Sequence, residues 1–460
     1  MSQTRLTLNR SDLRELLDIS IPMVVSQGSF ALMVFADRLF LSMIEPVYMA
    51  AAMGGGVASF FSIALFVGVM AYANALVAQY QGSGELHKCP RVVSQGCILA
   101  LVCLPVIAVI AFFVDQLFGA MGHEPHQVAL EQAYYRILML GAMFSLGKAC
   151  IGSYFSGIGR TRVVMIADLL GVLLNIPLSY ALIFGKLGLP ELGIQGAAWG
   201  TVIATLFALL IFLGFYLSPR HRLKYRVLES FRFDVGIMRR YVRLGFPSGL
   251  EMFMNVATFN LFLLLFQSFG VTYGAAAAIV FNWDMVSFIP IIGLNIGVIS
   301  LIGRYVGAND MSRANGVMTA GFALALGYSA VLAVTFVIFR IDLLNVFSSS
   351  GADFAPILEI GSFMMVGLAC YMMADAAILI SGAVLRGAGD TRWLMITSIS
   401  LHWLMLIVQV VMILILDYGP KSSWVVFVLS IIVIAAAYLW RLMGGTWRRP
   451  ERLARVMLEN

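Results

Sequence analysis

This 460-residue sequence contains few charged residues. Only 12% of its residues are charged, 61% are hydrophobic and the mean hydropathy is +0.92. Such values exclude a water-soluble domain and indicate an integral membrane protein built from helices. The formal charge of +6 could suggest a nucleic-acid partner. The basic residues, however, lie in short loops between apolar runs rather than on one face of a domain, so we expect no nucleic acid.

Signatures of enzyme chemistry and of ATP use are also missing. The sequence contains no GxxxxGK[ST] phosphate loop, and no hydrophilic stretch is long enough for a nucleotide-binding domain. It shows neither a nucleophile motif nor a cluster of metal-ligand histidines. We therefore predict that the protein is not an enzyme, that it has no cofactor or metal other than a sodium ion that could bind, and that an ion gradient supplies its energy.

Cysteine is scarce, and the five cysteines show no CxxC spacing of a metal or redox site. Each lies within or beside an apolar stretch, so we predict that they are buried as small hydrophobic residues. They are Cys89, Cys97, Cys103, Cys150 and Cys370.

What the sequence has instead is long apolar runs. A helix needs about 20 apolar residues to cross the roughly 30 Å hydrocarbon core of a bilayer. The first half has predicted spans at 14–43, 47–80, 93–119, 129–157, 162–185 and 192–217. The second half has predicted spans at 238–268, 273–305, 314–340, 355–385, 391–416 and 422–443. The fold class predicted is an all-α integral membrane protein with twelve transmembrane helices.

The basic residues predict the orientation of these spans. The leader MSQTRLTLNRSDLRELLD, which includes Arg5, does not resemble a cleaved signal peptide, so the first span is expected to direct its own insertion. If both termini are cytoplasmic, 24 of the 30 basic residues fall in inner loops and tails, whereas Lys186 and Lys421 fall in outer loops. The positive-inside rule then favours a multi-pass protein of the cytoplasmic (inner) membrane with both termini in the cytoplasm.

Two motifs occur twice and indicate an internal repeat. VAQYQGSGE resembles IGRYVGAND at an offset of 225 residues, and FSGIGRTR resembles LRGAGDTR at an offset of 230. Pro22 and Pro247 share the first offset, so each half is expected to begin with a proline-containing helix. Because each repeat has an even number of spans, we predict two six-helix lobes related by a pseudo-two-fold axis along the membrane normal. The predicted parts are an N-terminal lobe (1–217), a cytoplasmic linker (218–237), a C-terminal lobe (238–445) and a cytoplasmic tail (446–460).

Acidic residues inside the spans are the strongest functional candidates. A charge at the centre of a bilayer costs about 2.5–3.5 kcal/mol on insertion scales, so acids that remain there usually face a cavity. The candidates are Asp37, Asp168, Glu251, Asp284 and Asp375. A carboxylate with hydroxyl and amide oxygens beside it suits a sodium ion, and a carboxylate alone in a dry site suits a proton.

Each acid also has a structural interpretation. The alternative for Asp375 is a purely structural role, in which it forms a hydrogen bond between helices. The alternative for Asp284 is also structural, as a side chain that links two neighbouring spans. Asp37 precedes Arg38, but neighbours on a helix point about 100° apart, so we expect Asp37 to face the lobe interior and Arg38 another partner or the interface. Glu251 could bond backbone freed by the nearby proline. Asp168 is expected to pair with a base such as Lys148.

Flexible and aromatic side chains near these acids could form a pocket for flat organic cations. The substrate-binding candidates are the acids Asp37, Asp284 and Asp375 with Trp283, Asn282, Phe288, Met33 and Phe253. Pairs spaced four residues apart lie on one helical face, which applies to Tyr371 with Asp375, Glu251 with Asn255, and Asn175 with Ser179.

Four stretches of the sequence carry a resemblance to a known family: FADRLFLS, GFPSGL, NIPLSYALIFGKLGLPELG and YMMADAAILISGAVLRGAGD. Through these motifs nearly the whole chain resembles bacterial multidrug and toxic compound extrusion (MATE) transporters, and its second-lobe motif is NorM-like. It implies export of bulky organic cations driven by sodium ions or protons. It further implies a first-lobe cation site at Asp37, Asn175, Ser179 and Thr201, and a second-lobe site at Asp375 and Tyr371.

Two positions depart from the family pattern. Several members have an acid or asparagine where this chain has Ser179, and the NorM-like branch has an acid where this chain has Asn255. Glu251 lies one turn earlier and Asp284 lies in the next span, so both remain candidates for cation coupling.

The function predicted from the sequence is therefore secondary active multidrug efflux by alternating access, and hence a role in antibiotic resistance. The partners expected are organic cations, sodium ions or protons and the lipid bilayer, and the protein is expected to act as a monomer. The alternative is a flippase for lipid-linked precursors of the same superfamily. Such a flippase would be expected to line its cavity with basic residues, whereas the charges inside these spans lean acidic.

Overall fold

A computed structural model describes residues 9–120, 122–348 and 354–459 of the chain. The first eight residues of the leader, including Arg5, and the last residue of the tail lie outside the described residues. Helices make up nearly all of these segments, and the described residues contain no β-strand. The prediction of an all-α protein is confirmed.

Eight helices form the first half of the chain. They are α1 (Arg10–Ser42), α2 (Pro46–Ala71), α3 (Ala73–Gly82), α4 (Lys88–Phe118), α5 (Pro125–Leu140), α6 (Ala142–Gly157), α7 (Thr161–Phe184) and α8 (Ile194–Tyr216). The linker contains the short helix α9 (Pro219–Tyr225) and a 3-10 turn at Val227–Ser230.

The described residues of the second half of the chain contain eight further helices. They are α10 (Val235–Gln267), α11 (Val271–Gly307), α12 (Met311–Ile338), α13 (Arg340–Asn345), α14 (Ala355–Gly387), α15 (Thr391–Val410), α16 (Pro420–Met443) and α17 (Pro450–Met457). A π-helical turn extends α15 over Val411–Ile415, and a 3-10 turn at Thr446–Arg448 precedes α17.

The described residues contain 11 helices that are long and apolar enough to cross a membrane. A twelfth span results if α5 and α6, which meet at an angle of 48°, are counted as one broken span. Their junction is Gly141, where a Cβ atom would lie 2.6 Å from Val202 on α8. A glycine therefore allows the close approach at this bend, and the twelve predicted spans are confirmed.

The repeat is visible in the backbone as well as in the sequence. The helix ends at Gly82 and Gly307 are separated by 225 residues, and those at Gly157 and Gly387 by 230. The turns that follow the second pair contain Gly159 and Gly389, with φ angles of +76° and +79°. Glycine adopts this left-handed conformation without the strain that a Cβ atom causes. Together with the matching span order, these turns agree with the prediction of two lobes built from one repeated unit.

Helices of the two lobes pack closely through one end of the molecule. There α1 contacts α11, and α2 and α3 contact α10 and α11. A Cβ atom at Gly249 of α10 would overlap the backbone oxygen of Leu65 on α2, and one at Gly293 of α11 would lie 2.5 Å from Val24 on α1. Small residues thus let backbones from the two lobes meet.

Hydrogen bonds between the lobes are concentrated at this same end. Asn74 Nδ2 donates to the Ile296 carbonyl at 3.2 Å, and Gln79 Nε2 donates to the Gly387 carbonyl at 2.8 Å. Glu15 lies 3.4 Å from Arg304 and 3.1 Å from Arg313 across the same interface. This end carries the basic loops, and we refer to it as the closed end.

The C-terminal segment covers the closed end and contacts both lobes. Glu459 accepts hydrogen bonds from Tyr80 and Lys88 of the first lobe, each at 2.9 Å. Arg452 of α17 donates to Asp390 Oδ2 of the second lobe at 2.7 Å. The chain after α16 therefore bridges the lobes.

Candidate ion and substrate sites

The first candidate site surrounds Asp37 on α1. Asp37 is buried and its Oδ2 accepts a hydrogen bond from Thr201 Oγ1 of α8 at 3.0 Å. Asn175 and Ser179 of α7 also lie within hydrogen-bonding reach of this carboxylate. The four residues that the family resemblance brought together are thus neighbours in space, although they come from three helices.

Close packing of α7 and α8 shapes this site. Asn175 Nδ2 donates to Ser179 Oγ at 3.2 Å, and both side chains are fully buried. Gly200 of α8 lies directly against Ser179, because a Cβ atom at Gly200 would overlap the Ser179 hydroxyl. A glycine is therefore needed for α8 to bring Thr201 to the carboxylate.

Two oxygen atoms of the site have no hydrogen-bond partner. They are Asp37 Oδ1 and Asn175 Oδ1, and both are buried. A buried acceptor without a partner costs about 1–3 kcal/mol, so the arrangement favours a ligand that supplies positive charge. Carboxylate, amide and hydroxyl oxygens are the donor set that a hard cation prefers.

Arg38 does not share the environment of Asp37. The arginine is exposed, whereas the aspartate is buried. This confirms the prediction that the two charges point in different directions and do not simply neutralise each other.

The second candidate site is a small cleft between α11 and α14. It is lined by Asp284, Ser287, Phe288, Ile291, Met372 and Asp375. Asp284 and Asp375 are partly buried, and they face the same cleft from different helices. The Tyr371 side chain, which is almost fully buried, lies beside Asp284. Two carboxylates in one cleft repel each other unless a cation or a proton is present.

Two of the substrate candidates lie away from this cleft. Trp283 Nε1 donates to the Leu343 carbonyl of α13 at 3.1 Å, and its ring packs against Phe336 and Phe347. Asn282 is exposed and donates to a carbonyl of its own helix. Phe288, by contrast, lines the cleft beside the two acids.

Glu251 and Asn255 belong to a separate polar cluster. Glu251 Oε1 accepts hydrogen bonds from Arg386 at 2.8 Å and from Tyr438 at 3.3 Å. Asn255 Oδ1 accepts a hydrogen bond from Ser398 at 3.1 Å. The partners of Glu251 are thus side chains on α14 and α16 and not backbone freed by Pro247. Arg386 is a partner that the sequence did not single out, because nothing local in it links Arg386 to Glu251, 135 residues away.

The remaining candidates are Met33, Phe253 and Asp168, which lie on three different helices. Met33 is buried one turn before Asp37 on α1. Phe253 packs against Phe61 of the first lobe with ring centroids 4.7 Å apart and the rings tilted by 37°. Asp168 lies 2.9 Å from Lys148 and also accepts a hydrogen bond from Ser26. The predicted pairing of Asp168 with Lys148 is confirmed.

The prediction for the cysteines is wrong in part. Cys89 and Cys150 are buried, but Cys97 and Cys370 are exposed and Cys103 is partly exposed. All five are free thiols. The apolar sequence context could not distinguish a thiol in the core from one on the outer face of a helix, because lipid-facing positions are also apolar.

Two repeated bundles that meet at one end, with buried or partly buried carboxylates on the spans of each, define a multi-pass membrane transporter of the two-lobed class. The protein-family model described as MatE matches residues 22–181 and, a second time, residues 247–411. These matches cover more than half of the chain, so the chain belongs to the MatE family. Because the family consists of transporters, the prediction that the chain is not an enzyme is confirmed.

Curated relatives agree with this assignment over most of their length. The chain is 27% identical over 399 residues to the multidrug resistance protein PmpM of Pseudomonas aeruginosa, which covers 86% of this chain and 82% of the relative. It is 26% identical over 463 residues to the probable multidrug resistance protein NorM of Pasteurella multocida, and this match covers 97% of each.

Solved structures agree on the fold. A multidrug resistance MATE family transporter of the MOP superfamily, in an outward-facing conformation, superposes with a TM-score of 0.85 at 20% identity over 99% of both chains. A MOP superfamily transporter from Pyrococcus furiosus Vc1 gives a TM-score of 0.86 at 20% identity over 98% of this chain and 99% of the other. The predicted fold class is confirmed.

Proposed function

We propose that this chain is a secondary active multidrug exporter that moves organic cations across the cytoplasmic membrane in exchange for sodium ions or protons. The observation that carries the proposal is the pair of carboxylates, Asp284 and Asp375, that face one cleft. A second, separate carboxylate lies in the first lobe at Asp37. The acidic lining favours a cationic cargo over the anionic headgroup of a lipid-linked precursor.

In this proposal the coupling ion and the cargo bind alternately in the second-lobe cleft. With both carboxylates charged and close together, binding of a cation relieves their repulsion. An organic cation that approaches the same acids then competes with the coupling ion, and this competition produces exchange. Phe288 supplies an aromatic face beside the acids, which suits a flat cation.

The first-lobe site is assigned to a cation with oxygen ligands. Asp37, Asn175, Ser179 and Thr201 offer one charged oxygen group with amide and hydroxyl oxygens around it. This set suits sodium, and protonation of Asp37 is the alternative event at the same carboxylate.

Alternating access is assigned to rocking of the lobes about the closed end. Both termini and the basic loops are placed in the cytoplasm by the positive-inside rule, so the interlobe bonds of Gln79 and Asn74 would close the path from the cytoplasm. Cation binding would change the relative stability of this state and of the state that is open inwards. We take the protein to act as a monomer.

The experiment uses purified protein in liposomes with a fluorescent organic cation. Sodium and pH gradients are imposed separately, and the initial rate of dye transport is measured. Asp375→Asn and Asp284→Asn are expected to abolish gradient-driven transport, because the amide cannot carry the charge that the coupling ion binds.

Two matched variants serve as controls. Glu359→Gln removes an exposed acid from α14, the helix of Asp375, and Asp18→Asn removes an exposed acid from α1, the helix of Asp37. Both should transport like the unmodified chain. Full gradient-driven transport in the Asp375 variant would refute the role of Asp375 in coupling. If the unmodified chain transports the dye under neither the sodium gradient nor the pH gradient, exchange is refuted.

A further inference from the structure

The linker between the lobes has both buried and exposed side chains. His221, Tyr225 and Val227 are buried and pack in the core of the first lobe. Other apolar side chains of the linker are exposed: Leu223 is 76% exposed and Phe231 is 64% exposed. The buried side chains explain how the linker is fixed, but they do not explain the exposed apolar residues.

Basic residues alternate with these exposed apolar side chains. The exposed part of the linker, which we call the linker face, consists of the apolar residues Leu223, Leu228, Phe231 and Phe233 and the basic residues Arg220, Arg222, Lys224, Arg226 and Arg232. A polypeptide segment that combines exposed leucine and phenylalanine with arginine and lysine matches the composition of segments that lie at a membrane surface.

The acids of the linker leave this positive charge largely uncompensated. Glu229 is exposed and lies 3.8 Å from Arg226, a distance that gives only a weak surface ion pair. Asp234 is used elsewhere, because it binds Arg91 at 3.2 Å and accepts a hydrogen bond from the backbone of Ile237 at the start of α10. The linker face therefore carries a net positive charge.

Exposed apolar residues also flank the linker face along the chain. Leu217, directly after α8, and Val242 and Phe246 on α10 are exposed apolar residues of the adjoining spans. Helix α9 begins at Pro219, three residues after α8 ends at Tyr216. With about 1.5 Å of rise per helical residue and about 3.3 Å per extended residue, the linker cannot move far from the level at which the spans leave the bilayer.

We propose that the linker face binds acidic phospholipids of the cytoplasmic leaflet. Phe231, Phe233 and Leu223 insert at the level of the headgroups, and the arginines bind lipid phosphates through charge-assisted hydrogen bonds. The proposal rests on the cytoplasmic location of the linker in the proposed function, but it does not depend on the cargo or the coupling ion. Lipids bound here hold the linker between the lobes at the membrane surface.

The test counts lipids on purified full-length protein. Detergent-solubilised protein is titrated with phosphatidylglycerol or phosphatidylcholine, and the bound lipids are counted by native mass spectrometry. The linker variant is Arg220→Gln, Arg222→Gln and Lys224→Gln together. The matched control is Arg14→Gln, Arg162→Gln and Arg392→Gln together, which removes the same charge from exposed residues outside the linker.

We expect the unmodified chain to prefer phosphatidylglycerol. The linker variant should bind it at least about tenfold more weakly, because each basic residue near an acidic membrane surface contributes a few-fold in affinity, and the control should change little. A variant with Phe231→Ser and Phe233→Ser should lose binding without a change in charge. Equal binding of both lipids, or equal losses in the two triple variants, would overturn the proposal. Because no step measures transport, these results are independent of whether the protein exports drugs.

Discussion

The two lobes have equivalent turns, after α6 and after α14, but these turns carry side chains of opposite charge. In the first lobe, the turn after α6 carries Arg160, whose Nη1 lies 3.4 Å from Nδ1 of His221 in the linker. In the second lobe, the equivalent turn after α14 carries Asp390, which accepts hydrogen bonds from Arg441 at 3.0 Å and from Arg452 at 2.7 Å. Each turn thus binds the segment of chain that leaves its own lobe. The repeat has kept the backbone geometry while the charge adapted to the segment that it anchors.

The lobes also differ in where they place carboxylates. The residue 225 positions after Asp37 is Phe262. Phe262 is fully buried and stacks on Phe427 with ring centroids 4.5 Å apart. Aromatic rings in the second lobe occupy the region that corresponds to the Asp37 carboxylate in the first lobe. The acids of the second lobe lie instead on α11 and α14. The same helical frame therefore supports a polar site in one lobe and a packed core in the other.

The largest effect is expected from forcing the second lobe to copy the first. Phe262→Asp removes a stacked ring, at about 3–5 kcal/mol, and buries a carboxylate without a partner. We expect this variant to lose its folded state, as measured by the yield of monodisperse protein in detergent. Phe262→Leu retains the apolar volume and should cost only about 1 kcal/mol. Normal yield and thermal stability of Phe262→Asp would show that this region can bind a charge after all.

A smaller effect is expected from removing the charge of the second-lobe turn. Asp390→Asn leaves Arg441 and Arg452 without their buried partner, and because both arginines can still reach water, we expect a loss of about 1–3 kcal/mol in stability. The C-terminal helix α17 should then be released. Trypsin cleavage near Arg452 should be faster in this variant, as measured by mass spectrometry of the fragments.

Arg160→Gln is the counterpart of this change in the first lobe. It should leave cleavage of the tail unchanged, because Arg160 binds the linker and not α17. Faster cleavage of the tail in both variants would contradict the conclusion that Arg160 holds the linker while Asp390 holds α17.

An effect on ion affinity is expected at the first-lobe site. Asn175→Ala removes the buried amide oxygen that has no protein partner, so it should weaken sodium binding by about tenfold, the equivalent of one charge-assisted ligand at about 1.4 kcal/mol. The measurement is the increase of Tm with sodium concentration, which follows from binding to the folded state. Asn260→Ala, which removes an amide bonded only within its own helix, is the control. An unchanged sodium response in Asn175→Ala would exclude this amide as a ligand.

The sequence predicted the spans and the repeat because both leave local signals. Apolar run lengths indicate the helices, and the two copies of the glycine-containing turn indicate the lobes. Contacts between distant residues leave no such signal. The bond between Glu251 and Arg386 joins residues 135 positions apart, and the direction of the Trp283 ring depends on its packing against Phe336 and Phe347. The first-lobe site was predicted only through the family resemblance, since its four residues come from three helices.

The smallest effect is expected from pH, through the contact between Arg160 and His221 in the first lobe. His221 is buried against Tyr154, Tyr216 and Tyr225, and its Nε2 lies 2.8 Å from the Tyr154 hydroxyl. Burial, followed by the positive charges of Arg160 and Lys224, lowers the pKa of His221 to about 4. The neutral ring is required because Nδ1 accepts from Arg160.

The unfolded chain, with an imidazole pKa of about 6.5, therefore binds a proton at mildly acidic pH that the folded chain does not. Stability must fall as pH drops below about 6.5 and stop falling near the folded pKa. Between pH 7.5 and 5.5 we expect a decrease in Tm of about 1–2 °C from this group. His221→Gln should remove that part of the pH dependence, whereas His87→Gln, at an exposed position, should retain it. The same pH dependence in all three proteins would mean that His221 does not contribute to the pH dependence of stability in this range.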